Sequence, residues 1–170
     1  MKTMKKIIAI ILITAFAFSA CKKETAKCNF NESNTVASQA ESDSVNRYLV
    51  ANNISGATKH PAGFYYKIQT AGSGTVAPSL CSYLAVGYAG YYLNGALLDA
   101  TSGNQTIGFN LGELIVGWQK GLPLIRSGGN IDLYLPPSMA YGTAGVISNG
   151  VVKVPPNAYL RFTINLAQVQ

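Results

Sequence analysis

The 170-residue chain sets 13 Lys and Arg against seven Asp and Glu, a formal net charge of +6, and holds 17 glycines, ten tyrosines, one tryptophan and one histidine. Residues 1–20 contain three of the lysines and no acid, so beyond them ten cations face seven acids, a net charge of +3, and Lys59, Lys67, Lys120, Arg126, Lys153 and Arg161 are spread singly. The scatter argues against nucleic acid as a partner, and a lone His60 with few carboxylates argues against metal or Ser-His-Asp chemistry.

The chain opens on a leader. Lys2, Lys5 and Lys6 precede the apolar run 7–18, which is too short to span a bilayer, and Ser19-Ala20 then lead to Cys21, the pattern of a secretory signal. Phe18-Ser19-Ala20-Cys21 resembles a bacterial lipobox, with Phe18 where Leu is usual. The resemblance implies acylation of Cys21 and a membrane anchor, each buried CH₂ contributing about 0.8 kcal/mol; an ordinary signal cleaved nearby is the alternative. Residues 21–37 are largely Lys, Glu, Asn, Ser and Thr and read as a polar tether from Cys21. With Cys21 acylated, Cys28 and Cys81 form an even pair in an oxidising compartment and are expected to be joined, two separate thiols being the alternative.

Residues 38–56 carry a helix signal. Ser38 and Glu41 have capping-box spacing, and Val45, Tyr48 and Leu49 recur on one face before Gly56. Docking of that face on its own domain is simpler than docking on a second copy. Beyond His60-Pro61 the period becomes two: Phe64, Tyr66 and Ile68 alternate with Tyr65, Lys67 and Gln69. A long strand is expected over 80–93, turning at Asn94-Gly95 into a partner over 96–99. Further strands are expected over 106–111, 130–135 and 159–169, with one short helix over 113–125 interrupted by Gly117 and Gly121. The fold class is α+β: a curved antiparallel sheet of five to six strands wrapped around one short helix, with residues 60–170 as one domain and the N-terminal helix before it.

The remaining chemistry is narrow. No His, Cys and acid group has zinc spacing, no Gly-x-Ser-x-Gly turn occurs, and no Gly-rich loop ends in Gly-Lys-Ser, so neither a metal nor another cofactor is expected. A Tyr-rich apolar surface with few acids suits binding, or a reaction without proton transfer such as Xaa-Pro isomerisation. Trp118, the sole indole, lies in the nearly uncharged run 111–118 and is a candidate pocket floor, core packing being the bland alternative.

Six blocks in order carry a family resemblance: Val86-Gly87-Tyr88-Ala89-Gly90; Asn94-Gly95 with Leu98-Asp99; Phe109-Asn110-Leu111-Gly112-Glu113-Leu114-Ile115-Val116-Gly117-Trp118; Ala140-Tyr141-Gly142; Val154-Pro155-Pro156-Asn157-Ala158; and Leu160-Arg161-Phe162. Together, over residues 63–169, they resemble an FKBP-type peptidyl-prolyl cis-trans isomerase, in the form of an exported bacterial lipoprotein. The resemblance implies a proline pocket with Trp118 as floor, Tyr88, Asp99, Ile115 and Tyr141 in catalytic positions, and Leu98, Ile107, Phe109, Leu114, Val154 and Phe162 in contact with substrate. Leu98 and Ile107 stand at or near positions where Phe is common, and Lys153 stands where an apolar contact is common. The loop 143–154 is longer than in small members and is not assigned residue by residue.

The implied partners are proline-containing polypeptides and the membrane through Cys21, with macrolide inhibitors of the family as possible ligands. The implied place is the cell envelope, lipid-anchored at the outer membrane on its periplasmic or surface side. A non-catalytic chaperone or proline-peptide binding module on the same fold is the alternative function, and a structural envelope lipoprotein a weaker third.

Overall fold

A computed structural model of the chain describes residues 28–170. The expected leader, the lipidation of Cys21 and tether residues 22–27 lie outside the described residues. Within them no helix is long and apolar enough to cross a membrane.

Cys28 is disulfide-bonded to Cys81, with the Cα atoms 5.5 Å apart. From that bond residues 28–37, read in the sequence as the end of a tether, run along the domain. The Phe30 ring covers Gly112, where a Cβ would collide with it. Glu32 reaches Lys120 at 3.5 Å, and the Ala37 N–H donates to the Ala62 carbonyl at 2.9 Å.

Helix α1 (Gln39–Ala51) starts on the expected box: the Glu41 N–H donates to Ser38 Oγ, and the Glu41 carboxylate accepts the Ser38 N–H. It ends at Asn52, and Asn53 turns the chain with φ +54, three residues before Gly56. Asn tolerates that left-handed conformation better than most residues, so a glycine was not needed there. Val45 and Leu49 are buried in a cluster with Tyr134, so the apolar face packs on its own domain.

The main sheet is antiparallel throughout. Its strands are β1 (Thr58–Lys59), β2 (Tyr65–Thr70), β3 (Tyr83–Tyr92), β4 (Leu97–Ala100), β5 (Ile107–Asn110), β6 (Gly129–Leu135) and β9 (Leu160–Val169), the last numbered after a separate hairpin, β7 (Val146–Ser148) and β8 (Val151–Val154). The order is β1-β2-β6-β9-β3-β4, with β5 sharing one edge of β3: the first half of β3 pairs β5 and the second half pairs β4. The two-residue β1 brings the sheet to seven strands, above the five to six expected. On β9 the alternation holds as far as Leu166, with Leu160, Phe162, Ile164 and Leu166 buried. Full burial of each such side chain stabilises the fold by about 1.5–3 kcal/mol.

The expected helix over 113–125 is three pieces: a 3-10 turn at Leu111–Glu113, helix α2 (Val116–Gly121) and a 3-10 turn at Leu122–Leu124. Leu114 and Ile115 between the first two are extended, with ψ of 171° and 149°. Pro123 then supplies no backbone donor to prolong α2. Gln119 seals the break, its Nε2 donating to the Gly112 and Leu114 carbonyls at 3.1 and 2.7 Å. The concave side of the sheet holds α2 closely: a Cβ at Gly121 would lie 2.7 Å from Leu133 Cδ2. Gly117 and Gly121 thus permit close approach to the sheet, against Leu135 and Leu133.

Candidate active site

The end of the sheet around Trp118 encloses a cavity of about 480 Å³. Each wall follows from a local choice of the chain. Strand β3 contributes Tyr88, the β4 edge Leu98 and Asp99, β5 Phe109, and β9 Phe162. The extended pair Leu114-Ile115 lines it just before α2, and Trp118 lies one turn further on, so the break in the helix sends two residues and an indole to one place. Tyr141 comes from the loop after a 3-10 turn at Pro137–Met139, and Val146, Lys153 and Val154 from the β7–β8 hairpin.

Three rings stand nearly perpendicular to the indole. Tyr88 and Phe162 have centroids 5.4 Å from that of Trp118 at 81° and 84°, and Phe109 lies at 6.4 Å and 87°. Edge-to-face pairs of this kind contribute about 0.5–1.5 kcal/mol each beyond burial, which fixes the indole plane. Trp118 is only 4% exposed, yet its Nε1–H has no acceptor among the described residues. A purely structural core indole ordinarily has its N–H satisfied.

The polar groups are few. Tyr88 Oη donates to the Asp99 carboxylate, whose other oxygen accepts the Ala100 N–H at 2.9 Å. Burial first, then that hydrogen bond and the Asp99 charge, push the Tyr88 hydroxyl far above its ordinary pKa. Burial likewise raises Tyr141, with smaller contributions from Asp99 and Tyr92. Both phenols therefore remain protonated donors at neutral pH. The Ile115 carbonyl accepts from the Trp118 and Gln119 N–H groups at 2.9 and 3.1 Å, whereas the Ile115 N–H pairs with no backbone acceptor among the described residues. Tyr92 Oη donates to the Lys153 carbonyl at 2.9 Å and ties the hairpin to β3.

Ten of the residues marked in the sequence line the cavity, and Ile107 does not. It opens β5, 46% exposed, at its last register pair with β3 (Val86), beyond the reach of the cavity that Phe109 lines. Val146 was missed, along with the hairpin that carries it. Asn149-Gly150, with φ of +51° and +75°, is the same turn signal that Asn94-Gly95 gave earlier in the chain. His60 lies outside the cavity: it stacks on Phe64 at 4.4 Å and its Nδ1 accepts the Ala62 N–H at 3.0 Å. No group of three His, Cys, Asp or Glu among the described residues is placed to hold a metal ion.

Fold and cavity together define a class: an antiparallel sheet wrapped on a short helix, with an aromatic box at one end whose two phenols, Tyr88 and Tyr141, are held in their protonated, donating form. The chain belongs to the FKBP-type peptidyl-prolyl cis-trans isomerase family, which residues 74–167 match. It is 36% identical over 109 residues to the FKBP-type isomerase FkpA of Escherichia coli K12, covering 64% of this chain and 38% of that one. With the peptidyl-prolyl cis-trans isomerase Mip of Coxiella burnetii it shares 35% identity over 125 residues, 72% of this chain and 52% of the relative. The crystal structure of FkpA from Escherichia coli superposes with a TM-score of 0.66 at 31% identity, over 77% of this chain and 60% of that one. The matched region thus spans about half or less of the length of these two curated relatives.

Proposed function

We propose that this chain is a peptidyl-prolyl cis-trans isomerase acting on Xaa-Pro bonds of exported polypeptides, held in the cell envelope by a lipid on Cys21. The observation that carries the enzymatic reading is the aromatic box: an indole framed by three perpendicular rings, with a backbone N–H at Ile115 that has no backbone acceptor among the described residues. The envelope reading rests on the leader and on Phe18-Ser19-Ala20-Cys21.

Isomerisation asks little of a titrating group. The amide barrier of about 18–20 kcal/mol is the loss of conjugation on twisting, and each tenfold gain in rate requires about 1.4 kcal/mol of selective stabilisation of the twisted form. In this reading the prolyl ring stacks on Trp118 between Tyr88, Phe109 and Phe162, while Leu98, Leu114 and Val154 exclude water. The planar amide, the more dipolar form, loses more solvation there than the twisted one. The Ile115 N–H and the Tyr141 hydroxyl hold the flanking carbonyl oxygens, and Asp99 fixes Tyr88 rather than moving a proton.

A coupled assay on a Leu-Pro peptide tests this. The folded chain is expected to accelerate exchange, with Asp99→Ala and Tyr141→Phe each lowering kcat/KM by roughly tenfold, the scale of losing one positioned hydrogen bond. Exchange at the uncatalysed rate would remove the enzymatic reading. Because Tyr88 and Tyr141 are both raised, kcat/KM is expected to be level between about pH 6 and pH 9; a bell-shaped profile would instead demand a general acid or base.

A second reading, a proline-peptide binding or chaperone module on the same fold, draws on the hairpin beside the cavity, where Ile147, Val151 and Val152 are each more than half exposed. Saturable quenching or enhancement of Trp118 fluorescence by a proline peptide, without turnover, is the result that favours it.

A further inference from the structure

We propose that Glu41, in the N-terminal helix, is a positioning residue for Tyr141 at the cavity wall. The proposal rests on the isomerase reading for its activity arm, and on geometry for the rest.

The Glu41 carboxylate does more than close its own helix. One oxygen accepts the Ser138 N–H at 3.0 Å. The other accepts Ser138 Oγ at 3.0 Å, the Ser38 N–H at 2.9 Å and Ser38 Oγ at 3.1 Å. A single side chain thereby caps two turns that lie 97 residues apart in sequence.

The second of these turns has a specific need for that acceptor. Ser138 is the second residue of the 3-10 turn Pro137–Met139, and both Pro136 and Pro137 lack a backbone N–H. Ser138 is therefore the first donor of the turn, and a first-turn donor has no carbonyl behind it to accept. An ionised carboxylate satisfies it with a stronger bond than a neutral group would.

The turn in question carries Tyr141. The Ala140 and Gly142 N–H groups both donate to the Pro137 carbonyl, at 2.9 and 2.8 Å, and the Gly145 N–H donates to the Tyr141 carbonyl at 3.1 Å. Tyr141 is thus suspended between two bonds anchored on Pro137, the neighbour of Ser138. Burial works to raise the Glu41 pKa, but the Ser138 and Ser38 hydrogen bonds outweigh it and hold the carboxyl below its ordinary value, so Glu41 is ionised at neutral pH. The rest of the helix is held independently: the Ser42 hydroxyl donates to the Gly63 carbonyl at 2.7 Å, and Val45 and Leu49 are buried. Loss of the Ser138 contact can therefore loosen the turn without releasing α1.

The test compares Glu41→Ala with Ser38→Ala in the whole chain. Both weaken the helix cap, but only the first frees Ser138. Glu41→Ala is expected to raise amide hydrogen exchange at Gly142 and Gly145 by about tenfold or more, with Ser38→Ala leaving both near wild type. On a Leu-Pro peptide, Glu41→Ala is expected to lower kcat/KM by roughly five- to tenfold, Ser38→Ala by less than about twofold, and Glu41→Ala added to Tyr141→Phe to cost nothing more, because both act through one hydroxyl. Glu41→Gln, which keeps one carbonyl acceptor, should fall between Glu41→Ala and wild type and serves if the alanine variant fails to fold.

Unchanged exchange at Gly142 and Gly145, equal losses for Ser38→Ala and Glu41→Ala, or independent losses for Glu41→Ala and Tyr141→Phe would each overturn the proposal. If the wild-type chain turns over no peptide, the isomerase reading falls, and the exchange measurement still decides the role of Glu41.

Discussion

Replacing Trp118 with alanine is expected to lower the unfolding free energy by about 3–5 kcal/mol, as for other buried Trp truncations, and to reduce kcat/KM by about a hundredfold. The two effects have separate origins. The first is a cavity in the core cluster that holds Trp118, together with the loss of three edge-to-face pairs. The second is the loss of the surface on which the prolyl ring would be aligned. Trp118→Leu separates them, because leucine refills part of the volume but offers no flat face. It is expected to recover about half of the stability and little of the activity. Denaturant titration and the peptide assay on both variants check this. Near-wild-type turnover by Trp118→Leu would return the indole to the role of core filler. As the only tryptophan in the chain, Trp118 also makes tryptophan-selective emission a reporter of the cavity.

Reducing the Cys28–Cys81 disulfide is expected to cost about 4 kcal/mol of stability, because it opens a loop with a sequence separation of 53 residues and returns that freedom to the unfolded chain. For a domain of this size the melting midpoint should fall by roughly 10 °C. That loop contains α1, β1 and β2, so much of the domain's first half is pre-gathered in the oxidised unfolded state. Activity at 25 °C should change little, since α1 stays tied through Ser42 and Glu41, Ala37 just before it stays bonded to Ala62, and neither cysteine lines the cavity. Melting curves with and without reductant, alongside alkylation and mass spectrometry, measure it. Coincident midpoints, or alkylatable thiols in the untreated protein, would remove the bond from the account.

Some elements were legible because their signals are local. The alternation Leu160, Phe162, Ile164, Leu166 specifies one buried face of β9 without reference to its neighbours, and Ser38 with Glu41 specifies a helix start within four residues. The helix over 113–125 was misjudged for the opposite reason. Its apolar period holds from Leu114 onward, but Leu114 and Ile115 are extended so that both line the cavity, and no local pattern encodes that demand. Ile107 fell outside the cavity because β5 starts at that residue, a boundary set by the point where β3 changes partners. The β7–β8 hairpin was recoverable from Asn149-Gly150, although the exposed residues around it give no alternation that marks a buried face.

The sequence by itself determined six strands of the main sheet along the chain, the start of the first helix, the lack of metal-ligand spacing and, through six ordered blocks, the family. These depend on residue type and short spacing, which the chain carries whether folded or not. Only the tertiary structure decided that Trp118 is framed by Tyr88, Phe109 and Phe162, that Phe30 lies over Gly112, and that Glu41 reaches Ser138. Each of these joins residues separated by nine to 97 positions. Such contacts are set by register, crossover and close approach at glycine, which balance packing against chain entropy over the whole domain rather than within any one segment.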